Sequence, residues 1–157
     1  MTDAAAHTGT TLYAGFWRRV IAYFIDAIVL GIVMGIVFGI LGAIAGAALS
    51  GGNSDNAGGV IASLGAVLYV VLIVAVWLYF ALMESSSKQA TLGKMALSIK
   101  VTDLEGHRIT FGKATGRFFG KIISGMILYI GYMMAGWTAK KQALHDMMAG
   151  TLVVRSL

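Results

Sequence analysis

The sequence contains no cysteine and no proline. Without cysteine there are no disulfides, thiolate nucleophiles or Cys-ligated metals. Without proline no helix is broken by a missing backbone donor, so the 21 glycines must supply the breaks, turns and close contacts. Charge is also scarce. Asp, Glu, Lys and Arg make up 12% of the 157 residues, against roughly 25% in an ordinary soluble domain. The three histidines, His7, His107 and His145, lie far apart and lack metal-ligand spacing, so neither a metal nor a cofactor is expected. Lysine and arginine outnumber acids by 12 to 7. They form no recognition helix and are not interleaved with base-stacking aromatics, which excludes nucleic acid as a partner.

What the chain has instead is apolar length, with 58% of its residues hydrophobic. That fraction excludes disorder for most of the chain. Residues 1–12 are small and polar and are expected to form a disordered tail. Residues 13–155 then read as one membrane domain. Its first helix covers 13–49, and from residue 20 to residue 49 the only charge is Asp26. At about 1.5 Å per residue, a helix of that length exceeds the ~30 Å of a bilayer's hydrocarbon core. The run is too long, and too far from the first residue, for a signal peptide, so the helix is expected to be retained. Tyr13, Phe16 and Trp17 beside Arg18 and Arg19 form an interfacial anchor. Gly31, Gly35 and Gly39 recur every four residues, a small-residue face that admits a partner helix from this chain, a second copy or another membrane protein.

Residues 50–59 are a glycine- and serine-containing turn, and residues 60–83 form a second uncharged run that predicts a full span. The polar segment 84–117 carries Lys88, Lys94, Lys100, Arg108, Lys113 and Arg117. The positive-inside rule puts it and the N-terminus in the cytoplasm of a bacterial cell, with the protein in the cell (inner) membrane. Within it, Leu97, Ile99 and Val101, then Ile109 and Phe111 after the turn at 103–106, alternate as in a small β-hairpin. The last segment, 118–155, holds an apolar run at 122–137, short for a span, and the strand-like residues 151–155. The run either crosses the membrane or turns back near Gly131. The terminal strand favours the re-entrant course, because it needs the hairpin's edge. The expected fold is thus a mostly α-helical polytopic membrane protein with two full transmembrane helices, a short third membrane segment and a small cytoplasmic β-element.

The candidate site starts from Asp26, a carboxylate within an apolar helix and seven residues from Arg19 on the same face. Such a carboxylate costs at least about 3 kcal/mol in lipid unless it is paired, protonated or wetted. It therefore binds a proton or cation, or it belongs to a structural charge cluster. Asp146, after Lys140 and Lys141 and before Gly150, either completes that cluster or pairs locally. Arg18, Lys113, Arg117 and Lys121 are expected at lipid headgroups, the last three as a stripe at i, i+4, i+8. Residues 91–95, Thr-Leu-Gly-Lys-Met, do not make a phosphate loop, because Lys88 and Met95 stand where that loop needs glycine and a hydroxyl. The serines at 85–87 have no base, so no catalysis is expected.

Three blocks, GFWRRVIAYFIDAIVL, QATLGKMALSIKVTDLEGHRITFGKA and QALHDMMAGTLVV, resemble the bacterial RDD family of small membrane proteins. The resemblance places the arginine and two aspartates for which the family is named on Arg19, Asp26 and Asp146, with Asp103 the alternative second aspartate. It implies a transport-related role, including H⁺ or monovalent-cation exchange. The chain lacks an inverted repeat of broken helices, which favours action as an oligomer. The alternative is a non-transporting adaptor or assembly factor that binds its partner through the glycine face and the β-element.

Overall fold

The computed structural model describes residues 13–50, 57–126 and 130–156. The expected tail at 1–12, most of the turn at 50–59, and residues 127–129 within the third apolar run lie outside the described residues.

Two long helices follow from the two uncharged runs, α1 (Phe16–Ser50) and α2 (Ala57–Ser85). In lipid, a helix is the structure that satisfies every backbone N–H and C=O of a single segment. Stretches Phe16–Ala47 and Ile61–Ser85 are long and apolar enough to cross a membrane. Ile32, Ile36, Ile40 and Ile44 on α1, and Ile61, Leu64, Val67 and Val71 on α2, are all exposed. A protein in water buries such surface; in a bilayer it faces acyl chains.

The packed core sits at one end of these helices, where Ala14, Ala22, Ala81, Ile99, Val101, Ile109, Ala114 and Val153 form one cluster. Its floor is a two-stranded antiparallel sheet of β1 (Ile99–Asp103) and β2 (Thr151–Arg155), in register from Ile99↔Arg155 to Asp103↔Thr151. The Ala14 N–H donates to the Val153 carbonyl over 2.8 Å, and Tyr13 bridges Val154. The residues entering α1 therefore lie beside the last strand.

The sheet is present, but residues 109–111 do not supply its second strand. After β1 the chain turns, with Asp103 N–H donating to the His107 carbonyl at 2.9 Å and Gly106 at φ +88°. Thr110 then starts α4 (Phe111–Met126): its hydroxyl accepts from Lys113 N–H at 3.3 Å and its carbonyl from Ala114 N–H at 3.0 Å. A threonine in that position stabilises a helix start, so Phe111 enters a helix and β1 pairs with the terminal strand instead.

Helix α4 has an inverted pattern. Its buried face carries Ala114, Arg117, Gly120 and Ser124, while Phe119, Ile122, Ile123 and Met126 are exposed. Polar groups inward and apolar groups outward suit a helix against lipid. It is followed by α5 (Ile130–Met133) and a 3₁₀ turn at Met134–Gly136, and the two limbs are inclined at 116°. A Cβ on Gly131 would fall 2.9 Å from Ser124 Cα, so glycine permits the limbs to close on each other. Two short helices complete the polar end, α3 (Leu92–Ala96) and α6 (Leu144–Met148).

Candidate functional site

Asp26 is 1% exposed and is held by three neutral donors. The Tyr79 hydroxyl donates to its Oδ1 at 2.8 Å, the Thr91 hydroxyl to its Oδ2 at 2.5 Å, and the Gly93 N–H to Oδ1 at 2.8 Å. The Tyr79 oxygen in turn accepts from Leu92 N–H at 3.1 Å. Thr91 is the N-cap of α3, so Asp26 satisfies the opening amide of a short helix from another part of the chain. The segment read above as a failed phosphate loop is thus the strap that holds Asp26.

Arg19 does not turn towards Asp26. Its Nη1 donates to Asp146 Oδ2, its Nη2 to the Lys141 carbonyl at 2.5 Å and its Nε to the Ala14 carbonyl at 3.0 Å. Asp146, third residue of α6 after its N-cap, also accepts from Ala143 N–H at 3.1 Å. The seven-residue spacing of Arg19 and Asp26 places them along one helix face but with different partners.

Arg117 extends the cluster. It is 1% exposed, with Nη1 at 2.8 Å from Asp146 Oδ1 and Nε at 3.1 Å from Glu84 Oε2. Glu84 also pairs with Lys94, and its Oε1 lies 3.6 Å from Lys121 Nζ. Lys121 is stacked over the Phe80 ring, 4.1 Å from its centroid. Arg19, Asp146, Arg117, Glu84, Lys94 and Lys121 therefore form one continuous network joining α1, α2, α3, α4 and α6. Headgroup contact at the open interface does not describe Arg117, which is buried, or Lys121, which is part-buried against Glu84. The carboxylates draw that side of α4 inward. Arg18 and Lys113 are exposed.

The electrostatics outside the long helices follow from burial and pairing. Burial alone raises the Asp146 carboxyl, but Arg117 and Arg19 outweigh it and hold the group below the usual carboxylate range. Burial pushes the Lys94 ammonium down to about 8 despite Glu84. It pushes the His145 imidazole down to about 3, against the pull of Asp146 and with help from Arg117, Lys121 and Arg19. His145 is therefore neutral, and its Nδ1 lies 3.3 Å from the Ser124 hydroxyl.

These groups surround a cavity of about 330 Å³ lined by Arg19, Asp26, Lys94, Arg117, Lys121 and His145, with apolar walls that include Phe16, Val20 and Phe80. Glu84 and Asp146 are not among its lining residues. Asp103 belongs elsewhere: its Oδ1 accepts from Glu105 and His107 amides at 3.0 and 2.8 Å, closing the turn after β1. Among the described residues it also forms, with Glu105 and His107, the one group of ligand-type atoms within 4.8 Å of one another, and that turn is mostly exposed. The Gly31, Gly35 and Gly39 face is uncovered, since a Cβ at any of the three would meet nothing within 4 Å.

Glu84, Lys94, Tyr79 and Thr91 are site residues that sequence reasoning did not select. Glu84 carried a signal: it is the acid that ends the second apolar run, as Arg19 opens the first. Tyr79 and Thr91 carried none beyond their residue types.

Two bare apolar helices with a charged network folded inward at one end define a small polytopic membrane protein. The model of the RDD family matches residues 13–150, and the chain belongs to that family. It is 36% identical over 148 residues to the uncharacterized protein YxaI of Bacillus subtilis (strain 168), covering 90% of this chain and 96% of the relative. It is 31% identical over 153 residues to the uncharacterized membrane protein YteJ of the same organism, covering 92% and 82%. No solved structure matches.

Proposed function

We propose that the chain is a transport-related membrane protein rather than an enzyme, acting as an oligomer, with Asp26 as its proton-exchanging group. The supporting observation is the contrast among the three buried carboxylates. Glu84 and Asp146 are ion-paired, whereas the partners of Asp26 are a tyrosine hydroxyl, a threonine hydroxyl and an amide, and Asp26 faces the cavity. Of the two coupling ions the family resemblance implies, the proton suits this site better. A metal cation needs several oxygen ligands and Asp26 is the one carboxylate in the lining, whereas a proton needs only that carboxylate. The membrane is the bacterial cell membrane, with the N-terminus, sheet and charge network cytoplasmic, in keeping with the basic segment between α2 and α4.

Reconstituted protein should carry H⁺ across liposomes, and Asp26→Asn should abolish the flux while preserving the fold. Asparagine keeps the shape, its carbonyl can accept from Tyr79 and Gly93 while its NH2 donates to the Thr91 hydroxyl, but it cannot exchange a proton. Wild-type flux equal to that of empty liposomes, across several pH and cation gradients, would defeat autonomous transport.

A second reading, an adaptor without transport, is favoured by the open glycine face on α1. Under it, Gly35→Leu should abolish binding to a second copy or to a membrane partner, and Asp26→Asn should leave that binding unchanged.

A further inference from the structure

The cavity carries more positive charge than its surroundings neutralise. Arg19, Lys94, Arg117 and Lys121 line it, and the carboxylates in contact with them or with the cavity are Asp26, Glu84 and Asp146. With His145 neutral, four cations against three carboxylates leave one net positive charge. Its placement is also uneven. Glu84 and Asp146 do not line the void, so the four cations face it with Asp26 as the one lining carboxylate. Lys121 is the least engaged of the four, with Nζ 3.6 Å from Glu84, beyond hydrogen-bond length, and its side chain 19% exposed.

Apart from Asp26, His145 and Tyr132, the rest of the wall is apolar and reaches exposed apolar surface. Tyr23 on α1 and Met133 on α5 line the cavity and are 60% and 47% exposed, on elements whose outer surfaces are apolar. A site with ammonium and guanidinium groups at its base and aliphatic and aromatic groups at its mouth matches an amphiphile with an anionic head. Phosphate-type oxyanions accept such donors strongly, the more so away from water.

We propose that this cavity binds one phosphate-type oxyanion, brought into it as the headgroup of an acidic phospholipid. Binding needs no proton transfer at Asp26, so it stands or falls separately from the transport reading.

The test uses the full chain in nanodiscs of phosphatidylcholine alone, with phosphatidylglycerol added, or with inorganic phosphate added in place of the acidic lipid. Native mass spectrometry would count retained lipid, and thermal shift would give relative affinity. Phosphatidylglycerol should be retained at one per chain and should raise the melting temperature. Lys121→Gln should weaken binding about ten- to a hundredfold, as expected for a lost charge-assisted hydrogen bond, while Lys121→Arg and the exposed-surface control Lys88→Gln should stay near wild type. If Lys121→Gln fails to fold, the decision passes to hydrogen exchange on the wild type. Phosphatidylglycerol should then slow exchange at residues 117–121 and 143–146, with no such protection in phosphatidylcholine. Inorganic phosphate giving the full shift, sensitive to Lys121→Gln, would support the oxyanion site and overturn the lipid source. Equal loss in Lys88→Gln, or no effect of either anion, would overturn the proposal.

Discussion

The Gly93 amide reaches Asp26 across 2.8 Å because residue 93 has no side chain: a Cβ there would lie 2.0 Å from the Ala22 carbonyl oxygen on α1. The obstructing atom is backbone and cannot rotate away. Gly93→Ala should therefore push α3 off α1, release the amide from Asp26, and destabilise the protein by about 1–3 kcal/mol through the hydrogen bond and packing lost together. The check is the melting temperature in detergent, against a Gly58→Ala control, where an added Cβ meets nothing within 4 Å.

Arg117 joins Glu84 and Asp146, which no other residue does among the described ion pairs. Arg117→Met should destabilise by roughly 3–5 kcal/mol, because it leaves two buried carboxylates short of a partner. Arg117→Lys keeps the charge but loses the fork that reaches both acids, and should fall between. A double-mutant cycle of Arg117→Met with Asp146→Asn should give a coupling energy above about 0.5 kcal/mol, and additivity would show that the pair is not coupled.

His145 should not titrate between pH 5 and 8, a point that its ring NMR signals report directly. The linkage has a definite sign. Its pKa is lowered from 6.5 to about 3 on folding, so the unfolded chain binds the extra proton between those values. Stability from this group is full above pH 6.5 and is lost as pH falls towards 3. His145→Phe should therefore show a smaller fall in melting temperature than wild type between pH 7 and 4.5. An equal fall would place the acid sensitivity elsewhere.

With no native cysteine, single introduced thiols report topology cleanly. Tyr13 bridges Val154 in the last strand, and α1 and α2 are the two helices long and apolar enough to cross a membrane. The bent limbs of α4 and α5 should then dip and return without crossing. Lys88→Cys and Ser156→Cys should be labelled by an impermeant reagent from one side and Ser50→Cys from the other. Ser156 labelling together with Ser50 would mean that the third segment crosses.

The two spans and the sheet were legible because each rests on local pattern: uninterrupted apolar length for the helices, alternation at 97–101 and a short strand-like tail at 151–155 for the strands. Which strand paired with which was less so, because Ile109 and Phe111 continued the alternation and only the capping role of Thr110 turned Phe111 into a helix. The site was half legible. Arg19, Asp26 and Asp146 stand out as charges in apolar or glycine-ended contexts, but their grouping does not. Asp26 finds Tyr79 53 residues on and Thr91 65 residues on, contacts set by how α2 and α3 pack against α1. Arg117 was misplaced for a related reason. A basic stripe reads as a surface until the buried acid it serves, Glu84, is known.

The partners of the charges in the first two helices come late in the chain. Arg19 waits for a carboxylate 127 residues downstream, and Glu84 for Lys94, Arg117 and Lys121. During vectorial synthesis both long helices are made before residues 111–146, with Arg19 still lacking its carboxylate and Glu84 having Lys94 alone of its ion-pair partners. Ionisable side chains in that position are expensive to hold in lipid. The nascent pair of helices is thus an incomplete product until the last fifty or so residues dock, and a chain that stops short keeps Arg19 without the carboxylate it pairs with.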